Sequence, residues 1–116
     1  MSQKTRQEQD SLGKIKVANS NLWGAQTQRS IKNFRIGNDI MPIEIIHALA
    51  IIKMSCAKTN QKQKLLSPKI ASAIIDSAKQ VYLGKYDEHF PLSVWQTGSG
   101  TQTNMNVNEV IANIAN

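Results

Sequence analysis

Cysteine, aromatic residues and long apolar runs are all scarce in this sequence. Its single cysteine, Cys56, cannot form an internal disulfide. Because Cys56 lies in an apolar stretch, we expect its side chain to be buried, in a reducing compartment. No apolar run approaches the length of about 18 residues that is needed to span a membrane. Residues 1–10 are polar and lack the apolar core of a signal peptide. We therefore expect a cytoplasmic protein with a frayed start and no membrane partner.

Acidic residues are outnumbered by basic ones. The 116 residues hold 14 Lys and Arg against 8 Asp and Glu, a net charge of +6 that would suit an anionic partner such as nucleic acid. The basic residues are scattered, however, and the few aromatic residues are not interleaved with them as stacking platforms. This pattern favours a solvated surface over a nucleic-acid interface, with a modest attraction for small anions.

Periodicity predicts one short β element followed by helices. Residues 11–17 alternate apolar and polar positions around Gly13, which is typical of a strand or hairpin arm. The next segment leads into a short helix that we expect Thr27 to cap and that ends near Phe34.

Two longer helices follow, and each has a proline near its start. Pro42 is expected in the first turn of one, with Asn38 or Asp39 as its cap. That helix has two apolar stripes, Ile43, Ile46, Ala50, Met54 and Ala57 on one side and Ile45, Leu49, Ile52 and Cys56 on another. Such a helix should have neighbours on several sides. For the next helix, Ser67 and Pro68 predict the cap and the first turn. A stripe then recurs at helical spacing, Ile70, Ile74, Ser77 and Val81, before a stop at Gly84.

A last helix is predicted after a loop at residues 85–91, where Phe90 precedes a proline. This helix begins at a glycine turn and places Val107, Val110, Ile111 and Ile114 at helical spacing. It reaches Asn116 without a glycine, proline or basic terminator. We therefore expect one domain, residues 1–116, cut from a longer protein.

The turn Gly98-Ser99-Gly100-Thr101 carries the strongest chemical signal. Its glycines let the backbone approach a ligand closely, and the free N–H groups of the following helical turn favour a carboxylate or phosphate. Ser99 and Gln102 have capping-box spacing, so the alternative is that Ser99 caps its own helix and nothing binds. Neither a P-loop lysine nor a third glycine is present. The amides that follow, Asn104, Asn106 and Asn108, indicate a polar network.

Other candidate chemistry is sparse. His47 lies in an apolar helix and His89 in a loop, and neither has neighbours at metal-ligand spacing, so we interpret both as structural or surface residues. No nucleophile with a nearby base is recognisable, which predicts incomplete catalytic machinery and no metal site.

Residues 95–113, WQTGSGTQTNMNVNEVIAN, resemble the signature of class II fumarases. Residues 10–17, 23–30 and 41–49 resemble the same family's N-terminal domain in the same order, so the similarity covers nearly the whole chain.

Two departures and one alternative accompany the resemblance. Ile114 stands where these fumarases usually have a basic residue, and Ala18 where a proline is common. Aspartate ammonia-lyases, of the same fumarase/aspartase superfamily, are the alternative. They typically carry an alanine between the glycines and lack the Gln102-Thr103 pair, so Ser99 and that pair favour fumarase.

The resemblance implies a mainly α fold, with a short strand or hairpin and about four helices, truncated before the family's central helical bundle. It implies reversible hydration of fumarate to L-malate, the lyase step of the tricarboxylic acid cycle, without a metal ion or other cofactor, in a homotetramer. Ser99, Gly100 and Thr101 carry over as substrate-binding residues. The family's acid-base histidine and serine base come later in its sequence, so this chain has no catalytic residue and is expected to be inactive alone. A truncated, non-catalytic interaction module is a further alternative.

Overall fold

A β-hairpin leads into four helices in the computed structural model, which describes residues 2–96 and 99–116. The elements are β1 (Thr5–Asp10), β2 (Gly13–Ala18), α1 (Ala25–Asn33), α2 (Ile43–Lys62), α3 (Pro68–Tyr82), a short 3-10 turn at Asp87–His89 and α4 (Thr101–Ala115). The predicted mainly α fold with a short hairpin and about four helices is confirmed.

The hairpin pairs β1 and β2 antiparallel, with Asp10 opposite Gly13. The expectation of a frayed start is wrong for β1. This strand has little apolar periodicity, and it is held instead by its backbone ladder and by Arg6. The guanidinium of Arg6 donates to the carbonyl oxygens of Asn21 and Trp23, both at 2.7 Å. A polar strand is therefore anchored by polar contacts, which a search for alternating apolar residues does not detect.

Helix α2 begins later than its proline predicts. Pro42 is the N-cap and not a first-turn residue, and no side chain caps the helix. The preceding segment is extended instead: Met41 N–H donates to the carbonyl of Leu92 at 2.9 Å, and Val94 N–H donates to that of Asp39 at 2.9 Å. Because this pairing holds Asp39 against residues 92–94, the predicted caps stay away from the helix start.

Helix α3 begins as the sequence predicts. Ser67 is its N-cap and accepts a hydrogen bond from the N–H of Ile70 at 3.3 Å, Pro68 occupies the first turn, and Gly84 after the helix has a φ of +81°. The predicted stripe is only partly right, because Ile70 is exposed. The buried positions of the helix are Ala71, Ser77, Ala78 and Val81.

The hydrophobic core lies where α2, α3 and α4 meet the segment that enters α1. Its buried members are Val17, Trp23, Ile46, Ala50, Ala78, Val81, Phe90, Val107, Val110 and Ile111. The first apolar stripe of α2 supplies Ile46 and Ala50, as predicted. Of the second stripe, only Leu49 packs against this core. Ile45, Ile52 and Cys56 are exposed, so the expected burial of Cys56 is wrong.

No helix in the described ranges has both the length and the hydropathy needed to cross a membrane.

Candidate functional site

The three predicted substrate-binding residues lie together at the start of α4. Gly100 is the N-cap, with a φ of +74°, and a Cβ there would meet nothing within 4 Å among the described residues other than its chain neighbours and the backbone of its own helix. A left-handed backbone, and not crowding, therefore makes glycine the favoured residue there. Ser99 Oγ donates to Thr101 Oγ1 at 3.1 Å, and all three residues are exposed. The first glycine of the turn, Gly98, lies outside the described residues.

The N-cap of α4 is Gly100, which has no side chain to cap the helix, so the predicted capping box with Ser99 as the cap is wrong. Ser99 gives its hydroxyl hydrogen to Thr101, and Gln102 turns the other way to accept a hydrogen bond from Ser30 Oγ of α1. The first amide to bond within the helix is that of Asn104, to the carbonyl of Gly100 at 3.1 Å. Among the residues that the structure describes, none accepts a hydrogen bond from the preceding N–H groups of the first turn, which are donors at the positive end of the helix.

A second side-chain contact brackets the turn. Gln96 Nε2 donates both to the carbonyl of Ser93 at 2.8 Å and to Thr103 Oγ1 at 2.9 Å. Thr103 is buried, in contrast to the exposed Thr101 two residues earlier. Within one helical turn, Thr101 thus faces the solvent and Thr103 faces the protein interior.

Helix α4 in turn caps helix α1 through Glu109. The predicted cap, Thr27, is wrong: it lies inside α1, buried, and the N-cap is Gly24, which has no capping side chain. The carboxylate of Glu109 accepts hydrogen bonds from the N–H groups of Gly24 (2.8 Å), Gln26 (2.7 Å) and Thr27 (3.2 Å). A Cβ on Gly24 would lie 3.0 Å from the carboxyl carbon of Glu109, so glycine allows this close approach.

The asparagines of α4 form internal contacts more than a ligand-facing network. Asn106 is buried and donates to the carbonyl of His89 at 3.1 Å. Asn113 donates to the carbonyl of Leu22 at 2.6 Å. Asn108 has only a weak contact, at 3.8 Å, with the sulfur of Met105. The amides of Asn106 and Asn113 therefore fasten α4 to the segments that contain His89 and Leu22.

Both histidines have structural partners, as predicted. His89 is buried, and its Nδ1 accepts from the N–H of Leu22 at 3.1 Å. His47 Nε2 lies 2.9 Å from Asp87 Oδ1. Among the residues that the structure describes, no group of three or more His, Cys, Asp and Glu could hold a metal ion.

An ion pair between Asp10 and Arg29 joins the hairpin to α1. The guanidinium donates to both carboxylate oxygens, at 2.9 and 3.0 Å, and also to the carbonyl of Gly13 at 3.0 Å. The hydrogen bond from Arg29 lowers the pKa of Asp10, and the same bond raises the pKa of Arg29. Sequence analysis missed this pair, as well as Glu109 and Gln96. Gly24, which has no side chain to cap α1, was the one signal in the sequence that the N–H groups of this helix start need an acceptor from another segment.

Comparison with known families matches residues 13–116 to a family described as lyase. This chain belongs to that lyase family. Class II fumarate hydratases of Bradyrhizobium diazoefficiens and Bacillus cereus are each 60% identical to it, over 97% and 96% of this chain and 24% of each relative. The chain therefore spans about a quarter of the length of these relatives of the lyase family.

Solved structures give the same result for the fold. The crystal structure of a class II fumarase from Schistosoma mansoni matches with a TM-score of 0.95 and 49% identity, over 97% of this chain and 24% of that one. A fumarate lyase:delta crystallin from Brucella melitensis matches with a TM-score of 0.91 and 37% identity, over 97% of this chain and 26% of that one. The resemblance to the N-terminal domain of class II fumarases is confirmed.

Proposed function

We propose that this chain is the N-terminal segment of a class II fumarase and contributes Ser99, Gly100 and Thr101 to the binding of fumarate and L-malate. One observation carries the proposal. The hydroxyls of two exposed residues, Ser99 and Thr101, lie 3.1 Å apart at the start of α4, whose N-cap is a glycine, in a chain 60% identical to class II fumarate hydratases.

The chemistry of hydration explains why such a turn is useful. Removal of a proton next to a carboxylate of malate produces an intermediate with additional negative charge. Preorganised donors stabilise such charge without having to reorganise during the reaction. The hydroxyls of Ser99 and Thr101 and the N–H groups of the first turn of α4 are donors of this kind.

The remaining parts of the reaction are assigned to the rest of the complete enzyme. A general base must reach the proton that it removes, and the turn itself offers hydroxyls and amides but no basic side chain. We therefore propose a cytoplasmic homotetramer that acts in the tricarboxylic acid cycle, needs no metal or other cofactor, and is inactive when reduced to this segment.

A chimera tests the proposal. The matching quarter of the Bacillus cereus fumarate hydratase is replaced by this chain, and the loss of fumarate absorbance is followed in the chimera and in the isolated chain. We expect hydration by the chimera and none by the isolated chain. In the chimera, Ser99→Ala and Thr101→Val should each reduce turnover by ~10²-fold, as when one donor to a developing oxyanion is lost.

The matched control is Thr59→Val, the same chemical change at an exposed position on α2, which should leave turnover unchanged. Wild-type kinetics in both turn variants would refute the site. A chimera that consumed fumarate only with ammonia would indicate an aspartate ammonia-lyase instead.

A further inference from the structure

The substrate turn has little packing of its own. Ser99, Gly100 and Thr101 are all exposed, and a Cβ on Gly100 would meet nothing within 4 Å. Hydroxyls that are to act as preorganised donors must nevertheless be held in place, because a displacement of about 1 Å can reduce the rate by roughly 10²-fold. The groups that fix the turn must therefore lie at its two ends.

Gln96 and Thr103 occupy those ends. The amide nitrogen of Gln96 donates to Thr103 Oγ1 at 2.9 Å, and it also donates to the carbonyl of Ser93 at 2.8 Å. One side chain therefore ties the strand-like segment before the turn to the first turn of α4. The contact joins residues seven positions apart, so it closes the whole turn as a loop.

Burial strengthens this connection. Thr103 is only 3% exposed, so water competes poorly for its hydroxyl. Ser30, which donates to the adjacent Gln102 from α1, is only 5% exposed. Gln102 and Thr103 thus anchor the helix start to the interior, and Thr101 is left facing the site.

We infer that Gln96 and Thr103 form a positioning pair that sets the orientation of Ser99 and Thr101 toward the substrate. Both would act through the turn, as positioning residues. This inference rests on the proposed function, since it assigns the pair a role in the same site.

The test uses near-isosteric variants in the active chimera, with kcat, KM and thermal melting measured for each. Thr103→Val removes the acceptor hydroxyl and Gln96→Met removes the donor amide, and each new side chain is close in size to the one that it replaces. We expect each to lower kcat about tenfold or more while KM changes much less, because misoriented hydroxyls weaken transition-state binding more than substrate binding. Thr103→Ser, which keeps the hydroxyl, should restore kcat.

A double variant gives the sharpest result. If the two residues act through one hydrogen bond, Gln96→Met with Thr103→Val should lower kcat no further than the more severe single variant. Additive losses, or single variants within about twofold of wild type, would overturn the positioning role. A loss of kcat that tracks the melting temperature and is not restored by Thr103→Ser would overturn it as well.

The unsubstituted chimera separates the two proposals. If it is inactive, the proposed function fails and the positioning role fails with it. If it is active but insensitive to the Gln96 and Thr103 variants, only the positioning role fails.

Discussion

The carboxylate of Glu109 replaces the cap that α1 lacks, with three backbone N–H groups bonded to one side chain. Glu109→Gln keeps an acceptor oxygen but loses the charge and the second acceptor. Because hydrogen bonds to charged groups contribute more than neutral ones, we expect the free energy of unfolding to fall by ~1–3 kcal/mol. Urea denaturation of the chimera measures the change.

Glu44→Gln is the matched control for Glu109, since Glu44 is an exposed acid in the first turn of α2. We expect it to cost less than ~1 kcal/mol, the usual size of a charge effect at an exposed helix end. Equal losses in the two variants would contradict the capping role of Glu109.

The ion pair of Asp10 with Arg29 predicts a pH dependence of stability. Arg29 lowers the pKa of Asp10 in the folded chain, so the folded state binds a proton there less readily than the unfolded state. The stabilisation is therefore full near pH 7 and is lost as the pH falls below the ordinary aspartate pKa of about 3.9, through the lowered folded value.

Asp10→Asn should accordingly lower the melting temperature at neutral pH, with a difference from wild type that shrinks in acid. The comparison variant is Asp76→Asn, at an exposed position on α3. Its difference in melting temperature from wild type should not change with pH. A constant deficit for Asp10→Asn across the acid range would argue against the ion pair as its cause.

The tight turn before α4 could be predicted from sequence because its residues are adjacent, so their types define a local geometry, whereas the substrate-binding role of Ser99, Gly100 and Thr101 stays a prediction. Gly100 adopts a left-handed conformation, which glycine tolerates better than other residues. Glu109, Gln96 and Ser30 could not be predicted, since each acts on a group brought near only by folding. The expected burial of Cys56 failed for a related reason: an apolar stripe shows that a face can be covered, but not that this chain covers it.

Among the elements, α3 has the clearest local start signal, and it gives a direct prediction. Ser67→Ala removes the side chain that accepts from the N–H of Ile70. We expect a loss of ~1 kcal/mol in the free energy of unfolding, typical of an N-cap serine. Chemical denaturation of the chimera detects it.

Ser72→Ala, on the exposed face of the same helix, is the control, and it should be neutral or slightly stabilising because alanine favours helix. If Ser72→Ala were as costly as Ser67→Ala, the capping contact would not be the source of the loss.

The other elements differ in how far their own sequence, and not contacts with distant residues, determines their structure. Helical periodicity identified α2, α3 and α4, because a buried stripe repeats in the sequence itself. Strand β1 was missed because Arg6 and the backbone ladder anchor it, and neither leaves an apolar pattern. The start of α1 was misplaced because its capping group comes from another helix.

For the whole molecule, the uncovered stripe of α2 predicts self-association of the isolated chain. Ile45 and Ile52 are 44% and 53% exposed on that helix. When an isoleucine that is buried in such a contact is replaced by a polar residue, the free energy of association weakens by ~1.5–3 kcal/mol. We therefore expect Ile52→Gln to raise the concentration at which the chain associates by about tenfold or more, as measured by sedimentation.

Ile70→Gln is the matched comparison, because Ile70 is also 53% exposed but lies on α3. We expect it to leave the association unchanged. Equal shifts in both variants would indicate general hydrophobic association and not the stripe of α2.

The capping of α1 by Glu109 also determines when, during synthesis, the start of α1 can be completed. The bonded groups are separated by 82 to 85 residues, so α1 leaves the ribosome long before its cap exists. At about 5–20 residues per second, that interval is roughly 4 to 16 seconds. During it α1 can contact the hairpin through the Asp10–Arg29 ion pair, but its N-terminal N–H groups lack the carboxylate that caps them until α4 has been made.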